Sequence, residues 1–248
     1  MSKDAFWALI QEAKTACGQD LNAMEYYLQE QLVSMGPAAA KNFHDILQTY
    51  EDLADQYGLW DAVSVIKEYG CSDDGFIDFR AWLIAQGKEV YMNALRDPDT
   101  LADIEPYGDC CFECLSYVGD YAYEQLTGRS AYDEMEPDRI EKMRDELKKD
   151  IVYKNGIQYP REPKDLPRFL PRLCEKYGGS VSWRRHPHGI TTSMRSAGCW
   201  TRARSRTWLP KKRKGAALGE RGIRHGRGPR LRSHENCPRF LPVGAGGL

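Results

Sequence analysis

Apolar residues recur every three or four positions along most of the first 130 residues, and glycine or proline interrupts them at short intervals. A period near 3.6 residues gathers such side chains on one helix face, and the interruptions end each helix. Ser2-Lys3-Asp4 opens a first helix whose stripe is Phe6, Trp7, Leu9, Ile10 and Ala13, and Gly18-Gln19-Asp20 breaks it. Leu21, Met24, Leu28 and Leu32 mark a second helix, from about Leu21 to Met35, and Pro37 suits the opening turn of a third. That third helix carries Phe43, Ile46, Leu47, Tyr50, Leu53 and Tyr57 and is expected to stop at Gly58. Leu59, Ala62, Val63 and Ile66 repeat the spacing, as do Val90, Tyr91, Ala94 and Leu95 before Arg96-Asp97-Pro98. The expected fold is all-α: a compact multi-helix domain with short connections, followed by a minor helical extension and a tail of low order.

One corner of this pattern concentrates polar chemistry. Gly70 fits the position just past a helix end, where positive φ is common. Ser72, Asp73 and Asp74 then offer oxygens to the free N–H groups of the next helix, which carries Phe76, Phe79, Leu83 and Ile84 on one side and Arg80 and Trp82 on others. An EF-hand is excluded by position. With Gly75 sixth in the loop, Gly70 is first and Ala81 twelfth, and neither supplies the oxygen ligands that calcium needs there. Asp73 and Asp74 have three readings: helix capping with the dipole, pairing with Arg80, and acid–base chemistry.

The run Gly70-Cys71-Ser72-Asp73-Asp74-Gly75-Phe76, with Phe79-Arg80, Trp82-Leu83-Ile84 and Gly87, resembles the signature of a bacterial family known as domain-of-unknown-function 4240. Phe6-Trp7, Leu9-Ile10, Leu59-Trp60, Tyr117 and Ala122-Tyr123 extend the resemblance over roughly residues 1–130. It implies a small helical domain and a bacterial source. It brings no activity, cofactor or catalytic residue.

Charge divides the chain sharply. Residues 180–248 hold sixteen lysines and arginines against two acids, Glu220 and Glu235, whereas residues 1–179 hold nineteen bases against thirty-four acids. An acidic body suits a basic protein partner and repels nucleic acid. The tail from Gly178 loses apolar periodicity, so it cannot build a core. One reading is a nucleic-acid tail. The other is sequence from a shifted frame of a GC-rich gene, which yields arginine, glycine, proline and stray tryptophans such as Trp183, Trp200 and Trp208. No apolar run is long enough to span a membrane and no signal-peptide core opens the chain, so a cytoplasmic protein with mostly reduced cysteines is expected.

The remaining motifs carry little chemistry. Cys111 and Cys114 form a C-x-x-C beside Cys110, but a zinc site wants a second pair or histidines and a redox site wants a βαβ unit. Residues around them read as helix throughout, so these cysteines are expected to pack as small hydrophobes. His44 stands alone and is expected to be structural. Pro137-Asp138-Arg139 opens a charged, solvated helix; Asn155-Gly156 suggests a small hairpin over Tyr153–Tyr159; Leu166 to Tyr177 forms a short helix broken near Pro171. The domains expected are thus 1–130, a helical and proline-rich extension 131–178, and the basic segment 179–248.

With no nucleophile–base pair, phosphate loop or metal cluster, the leading expectation is a non-enzymatic binding or regulatory domain, without cofactor or metal, facing a protein partner. Its expected recognition surface is Trp60, Ser72, Asp73, Asp74, Arg80 and Trp82. The alternatives are a hydrolase or lyase using Asp73 or Asp74 with Arg80, and nucleic-acid binding if the tail is genuine. Reading the DNA near codon 180 in the other frames decides the tail: an open frame continuing in helical, acidic sequence establishes the shift, and its absence favours a selected basic tail.

Overall fold

Among the described residues of the computed structural model, eight helices of eight or more residues form the bulk: α1 Lys3–Cys17, α2 Leu21–Met35, α3 Pro37–Leu53, α4 Tyr57–Ile66, α5 Asp73–Ala85, α6 Lys88–Arg96, α7 Leu115–Thr127 and α8 Pro137–Lys148. Two short ones follow, α9 Leu166–Phe169 and α10 Pro171–Tyr177, and 3-10 turns occupy Pro98–Asp103, Tyr132–Glu134 and Pro163–Asp165. The structure describes residues 1–67, 70–154 and 163–177. Among them no strand forms. The Asn155-Gly156 turn and the segment 179–248 lie outside the described residues.

Local chemistry sets the helix ends. Ser2 Oγ accepts from Ala5 N (3.2 Å) to open α1, and Asp20 Oδ1 accepts from Ala23 N (3.0 Å) to open α2. Gly36, at φ 88°, joins α2 to α3 in a conformation that a β-carbon would strain, with Pro37 starting the next helix. One expected boundary shifts. The third helix ends at Leu53 rather than at Gly58: Gln56 takes extended backbone (φ −127°, ψ 134°) as the cap position of α4, and its Nε2 donates to Leu53 O (3.4 Å) at the end of α3. Gly58 is consequently buried inside the first turn of α4.

α3 is the centre. It packs against α7 most extensively and also against α1, α2, α5 and α8. On one side an aromatic cluster joins Phe6, Trp7, Phe43, Tyr50 and Tyr91, with neighbouring ring centroids 4.8–5.6 Å apart. Its polar atoms are matched: Trp7 Nε1 donates to Tyr50 Oη (3.0 Å) and Tyr91 Oη donates to Tyr50 O (2.7 Å). Phe79, Trp82, Leu83 and Ile84 from α5 complete the core.

The later residues dock onto this centre. Arg139 and Arg144 of α8 reach Asp45 (2.7 Å) and Asp52 (2.5 Å) of α3. Asp99 caps α10 from a distance, its carboxylate accepting from Arg172 N (3.2 Å) and Leu173 N (3.0 Å). Tyr153 Oη donates to Leu53 O (3.1 Å), closing the end of α3.

α3 and α7 approach each other closely at Gly119. A β-carbon added at Gly119 would lie 2.8 Å from His44 N and Cβ and 2.9 Å from its Cα. Alanine at that position gains about 1 kcal/mol of helix propensity. It also collides with helix backbone, which cannot swing aside, at about 1–3 kcal/mol or more. Overpacking should win. Gly119→Ala is expected to lower the urea midpoint at unchanged m-value; an unchanged or higher midpoint would show that the two helices can separate freely.

Candidate functional site

The acidic corner begins at Gly70, whose φ of 87° turns the chain into α5. Ser72 is the cap, with Oγ accepting from Gly75 N (3.1 Å). Asp73 and Asp74 follow in the first turn and are exposed, placed to interact with the helix dipole. Ile77 continues the same outer face and stays 44% exposed. The other faces of α5 are buried against α1, α3, α4, α6 and α7.

Arg80 has a different role from the one its spacing suggested. Its side chain is 12% exposed, and Nη1 donates to Glu51 O (3.2 Å) and lies 3.8 Å from Asp55 Oδ2. The guanidinium also sits over the Phe76 ring, 5.1 Å from its centroid. The expected aspartate–arginine pair therefore forms with Asp55 rather than with Asp73 or Asp74, because Arg80 is drawn to the free carbonyls at the end of α3. Trp60 lies against Phe76 (4.6 Å) with 9% exposure. Trp82 is core, between Phe79 (5.8 Å) and Tyr107 (5.6 Å). Ser72, Asp73 and Asp74 thus share a surface, while Trp60, Arg80 and Trp82 stand beneath it or inside.

The structure also assembles polar groups that periodicity did not reveal. Glu51 is buried at the α3–α7 seam and accepts from Ser116 Oγ (2.6 Å). Gln48 Nε2 and Tyr132 Oη both donate to Ser116 O, at 3.2 and 3.3 Å. Burial pushes the Glu51 carboxyl up to about 7, against the Ser116 hydrogen bond and the Arg80 charge. Asp78 is raised to about 6 by partial burial, then by Glu113, with Lys67 opposing and Asp74 and Asp109 adding. Asp45, fully enclosed, is held by Lys41 (2.6 Å) and Arg139 (2.7 Å); burial still raises its carboxyl. His44 is also enclosed, edge-on to Tyr132 at 4.3 Å, and burial with the Lys41 charge lowers it to about 3. It is a neutral packing residue, and neither ring nitrogen has a hydrogen-bond partner.

The C-x-x-C does not lie on one helix, as its surroundings suggested. Residues 109–112 form a loop, Cys114 is the cap position, and α7 begins at Leu115. Cys110 takes φ 57°, and Phe112 N donates to Asp78 O (3.1 Å), so loop and α5 are pinned together. Among the described residues no three histidine, cysteine or acidic side chains converge as a metal site.

These features describe an all-helical domain with an exposed, capped acidic corner over a buried polar seam. The chain belongs to the family described as "Protein of unknown function (DUF4240)", which matches residues 1–125. No curated protein and no solved structure matches the chain. No described helix is long and apolar enough to cross a membrane.

Glu51 makes the fold sensitive to pH. The folded state keeps its proton up to about pH 7, whereas an ordinary glutamate releases it near 4.5. The folded state therefore binds more protons between those values, and this residue's contribution to stability falls as pH rises from 4.5 to about 7, then levels off. The loss is on the order of 3 kcal/mol. Glu51→Gln keeps an acceptor for Ser116 without the charge. It should be more stable than the wild type at pH 8, with a flatter profile below pH 7 in urea melts; equal profiles would mean that Glu51 titrates normally.

Proposed function

We propose that this protein is a non-enzymatic binding or regulatory domain whose recognition surface is the outer face of the first two turns of α5, and whose partner is a protein segment carrying basic and apolar side chains. The observation that carries this reading is Ile77, 44% exposed on the same face as Asp73 and Asp74, on a helix whose other apolar side chains are buried. An apolar anchor ringed by charge is the pattern of an interface, with the anchor supplying affinity and the charges steering. Asp78 beside it is raised first by burial and then by Glu113, with Asp74 and Asp109 adding and Lys67 opposing, so several carboxylates lie near this face. The excess of acids over residues 1–179 extends the same field. Ser72 holds the turn, and Trp60, Arg80 and Trp82 brace it through Phe76 and Phe79.

A hydrolase or lyase based on Asp73 or Asp74 gains no support from this arrangement. Both carboxylates are exposed on the first turn, and the arginine that would orient an anion is engaged with α3. Nucleic-acid binding rests on residues 180–248 alone, outside the described residues.

A lysine- and arginine-rich amphipathic peptide serves as the probe, with titration calorimetry at low and high ionic strength. Asp73→Lys with Asp74→Lys should weaken binding about tenfold or more at low salt and little at high salt. Ile77→Ser should weaken it at both. If both variants keep their helical circular dichroism and bind the peptide as the wild type does, this face is not the recognition surface.

A further inference from the structure

A second cluster lies beside the corner and has no part in the reading above. Lys67, just past α4, donates from Nζ to Cys111 Sγ at 2.9 Å. Cys71 lies near the same lysine. A β-carbon on Gly75 would stand 3.6 Å from Cys71 Sγ and 3.8 Å from Lys67 Nζ, so thiol and amine share the bare face of that glycine. Cys71 and Cys111 are free thiols, and all three side chains are half-buried, open to a small reagent. The left-handed turn at Cys110 sends that residue's own side chain into the core and leaves its neighbour Cys111 beside the lysine.

We propose that Lys67, Cys111 and Cys71 form a hydroperoxide-responsive thiol site, in which Cys111 is the sulfur oxidised and Cys71 the thiol that resolves it. The ammonium group hydrogen-bonds to Cys111, so this is the sulfur whose anion it stabilises. The Cys111 thiolate attacks the nearer peroxide oxygen: an S–O bond forms, the O–O bond breaks, and the departing hydroxide or alkoxide takes a proton from Lys67. Sulfur loses two electrons to the peroxide and becomes a sulfenic acid. The Cys71 thiol then attacks that sulfur; an S–S bond forms, the S–O bond breaks, and water leaves with the thiol proton, which restores a neutral balance. Lys67 recovers its proton from solvent.

The surroundings modulate the step. Burial raises the Cys111 thiol; Lys67 opposes this through its hydrogen bond and charge, and Asp109 and Asp78 add to the rise. Burial pushes Cys71 up to about 11, with Lys67 opposing and Cys111, Asp78 and Asp73 adding. Cys110, on the same loop, is likewise pushed to about 11 and is buried. Removing the lysine charge would leave only influences that oppose the thiolate.

The full chain is treated with hydrogen peroxide in the presence of dimedone, and each cysteine is followed by peptide mass mapping. Cys17 and Cys174 are internal controls, being free and half-buried without such a lysine contact. Cys111 should be trapped about tenfold faster than either control, and without dimedone a Cys71–Cys111 disulfide should accumulate. Lys67→Met should slow trapping roughly tenfold and move the rise in rate to higher pH, with Lys67→Arg restoring part of both. Cys71→Ser should leave the Cys111 sulfenic acid persisting. Equal rates at Cys111 and the controls would overturn the proposal. An unmoved rate and pH profile in a folded Lys67→Met would do the same, as would unchanged persistence in Cys71→Ser.

Discussion

The structure depends on enclosing α3. Eleven of its seventeen residues are buried, which a helix with one apolar stripe cannot achieve. α3 must therefore be covered on several sides at once, and each polar group it carries inward must be matched or neutralised. Three different solutions appear along this one helix. Asp45 keeps its place through two cations, Lys41 and Arg139. Glu51 holds its proton and a hydrogen bond from Ser116. His44 stays neutral, and its backbone allows α7 to come close only where Gly119 has no side chain.

That enclosure explains why the chain beyond the family-matched span belongs to the same packed unit. Residues 1–125 contain Asp45, Asp52 and Asp99, but Arg139, Arg144 and the amides of Arg172 and Leu173 meet them from outside it. α8 is solvated along most of its length, as its charge pattern suggests, and Leu147 of its apolar positions Ile140, Met143 and Leu147 is buried. What the pattern did not show is that Arg139 and Arg144 pair with the acids of α3.

The two surfaces with chemical potential flank the same short loop. The α5 corner presents acids around Ile77, and the loop before α7 brings Cys111 to Lys67. The bond from Phe112 N to Asp78 O joins them, so displacement of the loop would be felt at α5. Both surfaces are built on a glycine whose side chain is absent for a local reason: Gly70 for its positive φ, and Gly75 for the space between Ser72, Cys71 and Lys67.

By itself the sequence determined the helices, most of their ends and the family. Spacing of Phe6, Ile10, Leu28, Leu32, Phe43 and Leu47, with caps at Ser2, Asp20 and Ser72, are local properties that each segment carries wherever it lies. It also placed Ser72, Asp73 and Asp74 together, since they are neighbours in the chain. Only the tertiary structure decided that Arg80 serves the end of α3, that Trp82 is core, that Ile77 is left outside, and that Glu51 meets Ser116 sixty-five residues away. The physical reason is that a helical period tells which residues share a face but not how many faces become covered. Pairings such as Lys67 with Cys111 arise between segments that leave no mark on each other's spacing.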